Sequence, residues 1–151
     1  MILVDANIFI YSVAESYPHH VAAREWLDSR LSEHGRVGLP WPSLLAFVRI
    51  ITNARIFEKP ASILAAWRRV EQWLERPNVW VPLPTDQHRQ ILAGLLKALD
   101  RGANLIPDAD LAALAIGHGL TLCSADSGFS RFPALRWKNP LAIAGQADTK
   151  H

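Results

Sequence analysis

Three aspartates carry the chemistry this chain offers: Asp5, Asp108 and Asp126. Asp5 closes the apolar run Ile2-Leu3-Val4. Aspartate is a poor strand former and is rarely buried without a partner, so an acid at the end of such a strand points to a use. Asp126 follows a second apolar run, Leu120-Thr-Leu-Cys-Ser124. Asp108 follows Pro107 and opens the helical segment that leads into that run. If the two strands are parallel, Asp5 and Asp126 lie at one edge of a sheet, the edge where open α/β sheets place their sites. A helix running back against the second strand begins near the same edge and adds Asp108. Carboxylates gathered in this way raise one another's pKa values. A divalent cation relieves the repulsion, and hard oxygen ligands suit Mg²⁺ or Mn²⁺. Such an ion activates a bound water and neutralises phosphate charge, which is the chemistry of phosphodiester hydrolysis. Taken singly, Asp108 also reads as a helix cap and Asp126 as a turn residue in Asp126-Ser-Gly128. Asp110 lies about 200° round the helix from Asp108, which suits a solvated or capping role better than a metal role.

The elements that must position these acids can be read from periodicity and turn chemistry. A helix is expected over 7–16, broken by Tyr17-Pro18, and a second over 19–33 with Ala23, Leu27 and Leu31 inward. A short strand follows at 37–39, then a helix over 44–53 opened by Trp41-Pro42-Ser43. Ser62 caps a helix to Arg76 whose stripe reads Ile63, Trp67, Val70 and Leu74. A strand at 79–81 stops at Pro82. A helix then runs from Thr85 or Asp86 to Arg101, with Ile91, Leu92, Leu95, Leu96 and Leu99 inward. The helix opened by Asp108 has Leu111, Leu114, Ala115 and His118 on one face and ends at Gly119. A strand at 120–124, a turn around Phe129 to Pro133 and a last short strand at 135–137 complete the order. That order implies a three-layer α/β/α fold with a mostly parallel central sheet. Residues 1–141 form one domain, and 142–151 read as a flexible tail.

Composition narrows the class. The 151 residues are 50% hydrophobic and 20% charged, as in a globular domain. The formal net charge is +2, which permits a polyanionic partner without requiring one. The one cysteine, Cys123, excludes an internal disulfide and a cysteine-built metal site. Asp5 interrupts the N-terminal apolar residues, which lack a basic flank, so no signal peptide is expected. No apolar run approaches the ~18 residues of a membrane span, and the expected location is the cytoplasm. No P-loop or GxGxxG sequence is present, so no nucleotide cofactor is expected. Arg49, Arg55, Lys59, Arg68 and Arg69 cluster in the central third. Arg49 and Arg55 are the candidates for contact with RNA, while Arg68-Arg69 suit a solvated helix face. His19-His20 diverge by about 100° on a helix and read as surface residues.

Asp5-Ala-Asn7 after an apolar strand, Asp108-x-x-Leu-Ala-Ala-Leu-Ala-x-x-x-Gly119-Leu-Thr-Leu, and Ser124-x-Asp126-x-x-Phe129 together resemble the PIN-domain nucleases. The resemblance is greatest to the VapC ribonuclease toxins of bacterial toxin–antitoxin pairs and extends from Met1 to Leu141. Gly38 to Phe57 and Phe132 to Leu141 resemble one VapC branch. The resemblance implies a PIN-like fold, Mg²⁺-dependent (or Mn²⁺-dependent) endoribonuclease activity on RNA, homodimers and inhibition by a VapB-type antitoxin. It assigns Asp5, Asp108 and Asp126 as catalytic and metal-binding acids, and Ser124, with Asn7, as positioning residues for water or substrate. One departure stands out: Phe47 occupies the place of a usual glutamate. Three acids remain, enough for one Mg²⁺ with several waters. Glu15 and Arg49 are candidates to replace the missing group, and the alternative is a PIN-like RNA- or partner-binding module with weakened catalysis. An acid-based phosphatase is disfavoured because Asn7 stands where an Asp-x-Asp pair would place its second acid. Apolar helix faces around Trp26, Trp41, Trp67 and Trp73 are the surfaces expected to meet a dimer mate and an antitoxin.

Overall fold

β1 (Ile2–Val4) is the middle strand of five; the next two strands in the chain lie on one side of it and the last two on the other. A computed structural model describes residues 1–99 and 101–142. β1 is followed by α1 (Ala6–Val13), α2 (His20–Ser32), β2 (Val37–Gly38), α3 (Trp41–Ile51), α4 (Ile63–Leu74) and β3 (Val79–Trp80). Then come α5 (His88–Lys97), a 3-10 turn (Ala103–Leu105), α6 (Ile106–His118), β4 (Thr121–Cys123), a second 3-10 helix (Ser127–Arg131) and β5 (Trp137–Lys138). The strand order is β3-β2-β1-β4-β5, and every pairing is parallel. Val4 stands opposite Cys123 in the β1–β4 ladder.

Successive strand residues point to opposite faces, and both faces of β1 are covered. Val4 packs with Ile8, Phe9, Leu27, Leu44, Phe47, Val70 and Trp73 from α1–α4. Leu3 packs with Ala109, Ala112, Ala115 and Leu122, backed by Leu92, Leu95 and Leu96 of α5. This explains the uninterrupted apolar run before Asp5: a parallel strand buried on both sides has no polar face. The alanines of α6 let that helix lie close on the sheet. Gly119 ends α6 at φ +68°, a left-handed cap for which glycine carries no Cβ penalty. Gly38 is needed in β2 because a Cβ there would stand 2.8 Å from the Pro82 side chain.

Two expectations require correction. The stripe of α4 that faces the core is Ala66, Val70 and Trp73, with Leu74 partly buried against it; of the expected stripe, Ile63 and Trp67 point away. Ile63 is 71% and Leu64 58% exposed, and Trp67 stacks on Trp41 at the surface with ring centres 6.2 Å apart. Trp73 is core: it stacks on Phe9 at 4.6 Å and meets Phe47 at 4.9 Å. α5 is shorter than expected at both ends, since neither Thr85 nor Asp86 caps it, and its apolar residues are half-buried. Of the expected tail, 142–151, residues 143–151 lie outside the described residues.

Candidate active site

The β1–β4 ladder continues one bond past its strands. Asp5 N donates to Cys123 O at 3.0 Å, which sets Asp5 beside Ser124. Asp5 then turns the chain into α1 as its N-cap, with Oδ1 accepting from Ala6 N at 2.7 Å. Its other oxygen accepts from Ser124 Oγ at 2.8 Å.

Ser124 is the hub of this corner. Its hydroxyl oxygen accepts from Asn7 Nδ2 at 3.0 Å and from Asp126 N at 3.0 Å. A hydroxyl has one proton and two acceptor sites. Both neighbours are donors, so the single proton must go to Asp5. The group is fully used and wholly buried; it orients Asp5 and has no capacity left to bind water or substrate. Asn7 completes the frame: its Oδ1 accepts from Ala125 N at 3.2 Å, and its Nδ2 also lies 3.4 Å from Asp5 Oδ2. Trp137 Nε1 donates to Ser124 O at 3.0 Å, which ties β5 to the same residue.

Asp126 caps the second 3-10 helix, with Oδ1 accepting from Gly128 N at 2.8 Å. Its turn role is therefore real, and it uses one carboxylate oxygen. Asp108 lies in the first turn of α6, whose N-cap is Leu105, so Asp108 is not the cap. The positive end of the helix dipole favours an acid there.

Asp5 and Asp108 both feel the charge of Asp126. Burial is the main influence pushing the Asp5 carboxyl above its ordinary range; the Ser124 and Ala6 hydrogen bonds pull it down and the Asp126 charge pushes it further up. Burial, then the charges of Asp126 and Asp5, raise Asp108 to about 6, against a smaller lowering by Arg131. Among the described residues no group of three or more His, Cys, Asp or Glu side chains stands ready to enclose a metal ion. The donor set instead fits a hydrated ion. Mg²⁺ keeps several waters and takes one or two carboxylates directly, and two acids with raised pKa values are what a cation relieves.

Asp108 makes this cost measurable. Its folded pKa of about 6 exceeds the ordinary value of 3.8, so the folded state binds the proton more tightly than the unfolded chain. Without metal, stability therefore rises as the pH falls through about 6 towards 4, and charged Asp108 is a liability at neutral pH. Asp108→Asn should stabilise the metal-free protein at pH 7.5 by about 1 kcal/mol after allowance for solvent screening. That is a gain of roughly 2–4 °C, and it should vanish by pH 4. Thermal melts in EDTA across that range test it; a lower melting temperature for the variant at pH 7.5 would contradict the burial and charge account.

The other candidates lie elsewhere. Phe47 is wholly buried, edge-on to Phe9 at 6.3 Å and against Trp73 at 4.9 Å. Arg49 and Arg55 are exposed at and beyond the end of α3, and no ion pair joins them to the acids among the described residues. Glu15 lines a groove of about 540 Å³ with Ile51, Phe57 and Lys59, away from the acids. Asp110 turns from Asp108, as its helical angle requires, and meets His88 Nε2 at 2.7 Å. His20 Nδ1 is 2.8 Å from Tyr11 O, and His19 packs on the Tyr11 ring. Two participants had no assigned role in the sequence. Trp137 was visible only as part of a resemblance. Arg131, the one cation acting on Asp108 among its leading influences, sits in a five-residue helix too short for a periodic signal.

Comparison with known proteins places this geometry. A family model described as PIN domain matches residues 2–135. The chain is 43% identical over 143 residues to Ribonuclease VapC37 of Mycobacterium tuberculosis, covering 95% of this chain and 99% of that protein. It is 36% identical over 141 residues to Ribonuclease VapC33 of the same organism, covering 93% and 99%. Among solved structures it resembles VapBC2 from Rickettsia felis bound to a DNA fragment from their promoter, at TM-score 0.66 and 18% identity, covering 92% of this chain and 98% of that one. It also resembles FitAcB from Neisseria gonorrhoeae at TM-score 0.67 and 22% identity, covering 95% and 100%. At these identities the structural likeness speaks for the fold.

Proposed function

The chain belongs to the PIN-domain family, among the VapC ribonuclease toxins of type II toxin–antitoxin systems, and on that premise we propose that Asp5, Asp108 and Asp126 make it a Mg²⁺-dependent endoribonuclease. The observation that carries this reading is the convergence of the acids at one sheet edge: Asp5 and the Asp126 backbone both bond to Ser124 Oγ, and the charges of Asp126 and Asp5, after burial, push Asp108 up. When bound, the ion supplies an activated water and charge neutralisation at the phosphate. The protein's own share is orientation. Ser124 fixes the outward oxygen of Asp5, Asn7 locks Ser124 to the Ala125 backbone, and Gly128 holds one oxygen of Asp126. Purified protein should cut RNA with Mg²⁺ or Mn²⁺ and stop in EDTA; metal-independent cutting would sink the assignment.

The second reading, a binding module with weakened catalysis, draws on Phe47. It would prevail if calorimetry found no metal binding while RNA still bound. The proposed partners are an RNA substrate, a second copy of the chain and a VapB-type antitoxin. The solved relatives named as VapBC assemblies support the last. The proposed location is the cytoplasm, and among the described residues no helix is long and apolar enough to cross a membrane.

For the second copy, the exposed apolar face of α3 and α4 is the surface on offer. Leu45, Ile63 and Leu64 are more than half exposed beside the Trp41–Trp67 stack, and exposed apolar residues gathered on one face mark interaction surfaces. Light scattering on the free toxin should give a dimer, and Leu64→Glu should give a monomer with an unchanged melting profile. A wild-type monomer at micromolar concentration would remove this face from consideration.

A further inference from the structure

The 3-10 helix after β4 brings a guanidinium to the acids and then keeps it from closing on them. Arg131 Nε donates to Gly128 O at 2.7 Å. Gly128 N in turn donates to Asp126 Oδ1 at 2.8 Å. The point where a Gly128 Cβ would stand is 3.0 Å from Asp126 Oδ1 and 3.2 Å from Arg131 Nη2. The carboxylate and the guanidinium therefore face one another within about 6 Å across a gap that only a glycine leaves open. No ion pair joins Arg131 to an acid among the described residues. Each group is tethered to the Gly128 backbone, one through Nε and the other through Oδ1, and the tethers hold the opposite charges apart.

The guanidinium is thereby held beside the acids without an ion pair to any of them among the described residues, which leaves its charge for an oxyanion. Guanidinium-to-phosphate hydrogen bonds run about 2.7–2.9 Å, and arginine presents its nitrogens as a planar fork that matches phosphate oxygens. With Nε occupied, the terminal nitrogens are the ones aimed at the gap. We propose that Arg131 binds the scissile phosphate, its terminal guanidinium nitrogens donating to the non-bridging oxygens of the RNA phosphodiester. The proposal rests on the ribonuclease reading of the same site. It makes Arg131, and not the exposed Arg49 or Arg55, the cation at the reacting phosphorus. Arg131 transfers no proton; it holds the phosphate and offsets charge that grows on its oxygens as water attacks. Gly128 is then a requirement of the site, because any side chain there would fill the space between guanidinium and carboxylate.

The test compares Arg131→Gln with Arg131→Lys. In Arg131→Gln the amide nitrogen takes the place of Nε and keeps a donor for Gly128 O, so its melting temperature should stay near wild type; Arg131→Lys gives up that donor and keeps the charge. The first readout is single-turnover cleavage of a short single-stranded RNA with Mg²⁺. Arg131→Gln should slow it by about 100-fold or more, as loss of one transition-state donor does, and Arg131→Lys should recover part of that. The second readout is the salt dependence of affinity for the same RNA in EDTA, where nothing is cut. Arg131→Gln should reduce the slope of log K against log salt by about 0.7, one single-strand phosphate contact, and Arg131→Lys should leave it near wild type. Wild-type cleavage by Arg131→Gln, an unchanged salt slope, or a rate for Arg131→Lys no higher than that of Arg131→Gln would each overturn the proposal, the last by assigning Arg131 to holding the turn. If the wild-type protein cuts no RNA, the ribonuclease reading fails by itself, and the salt slope still decides for or against Arg131.

Discussion

Asp5→Asn should abolish RNA cleavage while leaving the fold intact. Asparagine caps helices about as well as aspartate, so the bond from Ala6 N that starts α1 survives. The other half of the side chain cannot adapt. Ser124 Oγ already accepts from Asn7 and from Asp126 N and gives its only proton to Asp5. An amide nitrogen at that place would be a third donor aimed at a saturated hydroxyl, and the Ser124 proton would lose its acceptor. The variant thus removes a charge from the cation site and disorders the group that aims it. Loss of an outer partner of a metal ligand costs about 10–100-fold, so loss of the ligand charge itself should cost at least about 100-fold. The readout is cleavage of total cellular RNA in Mg²⁺, with a thermal melt in EDTA beside it. The melt should change little or improve, because charged Asp5 is already disfavoured by burial. Cleavage within a few-fold of wild type would remove Asp5 from the mechanism.

Phe47→Glu, the change that restores the usual acid, should wreck the core and repair nothing. Phe47 is fully enclosed, with Phe9 and Trp73 stacked beside it. Removing a buried ring of this kind costs about 3–5 kcal/mol, and a carboxylate in its place adds the cost of burying a charge, which it would escape by staying protonated. Against a total stability of about 5–15 kcal/mol that is a large share, visible as a fall of roughly 10 °C or more in melting temperature or as insoluble expression. Cleavage should not increase. Phe47→Leu separates packing from chemistry: it should melt lower yet cut RNA within a few-fold of wild type. A Phe47→Glu protein that melts normally and binds Mg²⁺ more tightly would show that the ring merely covers a working acid position.

Much of the site was legible because parallel strands buried on both faces leave a plain trace, an apolar run that ends at a sharp edge. Ile2-Leu3-Val4-Asp5 and Leu122-Cys123-Ser124 are such traces, and the pairing of Val4 with Cys123 makes the two ends level. The α4 stripe was misread because that helix is apolar on more than one side. Ile63, Trp67, Val70 and Leu74 satisfy helical spacing as well as Ala66, Val70 and Trp73 do, and periodicity cannot say which set the sheet covers. Arg131 was missed because its relation to Asp126 passes through two bonds to one glycine, which no spacing rule encodes. The saturation of Ser124 depends on Asn7, a partner 117 residues away in the chain, so it exists only in three dimensions.

That separation also fixes when Asp5 acquires its frame. Asp5 is made well before the residues around it, since the hydroxyl that accompanies it and Asp126 come from the end of β4 and the turn after it. Synthesis adds about 5–20 residues per second, so for several seconds the nascent chain carries the first acid without its frame. Chains that end before β4 have the α1–α4 layer in hand but not the corner where Ser124 meets Asp5. The central strand waits for its neighbour β4, and the Asp5 side chain takes its final place only when that strand arrives.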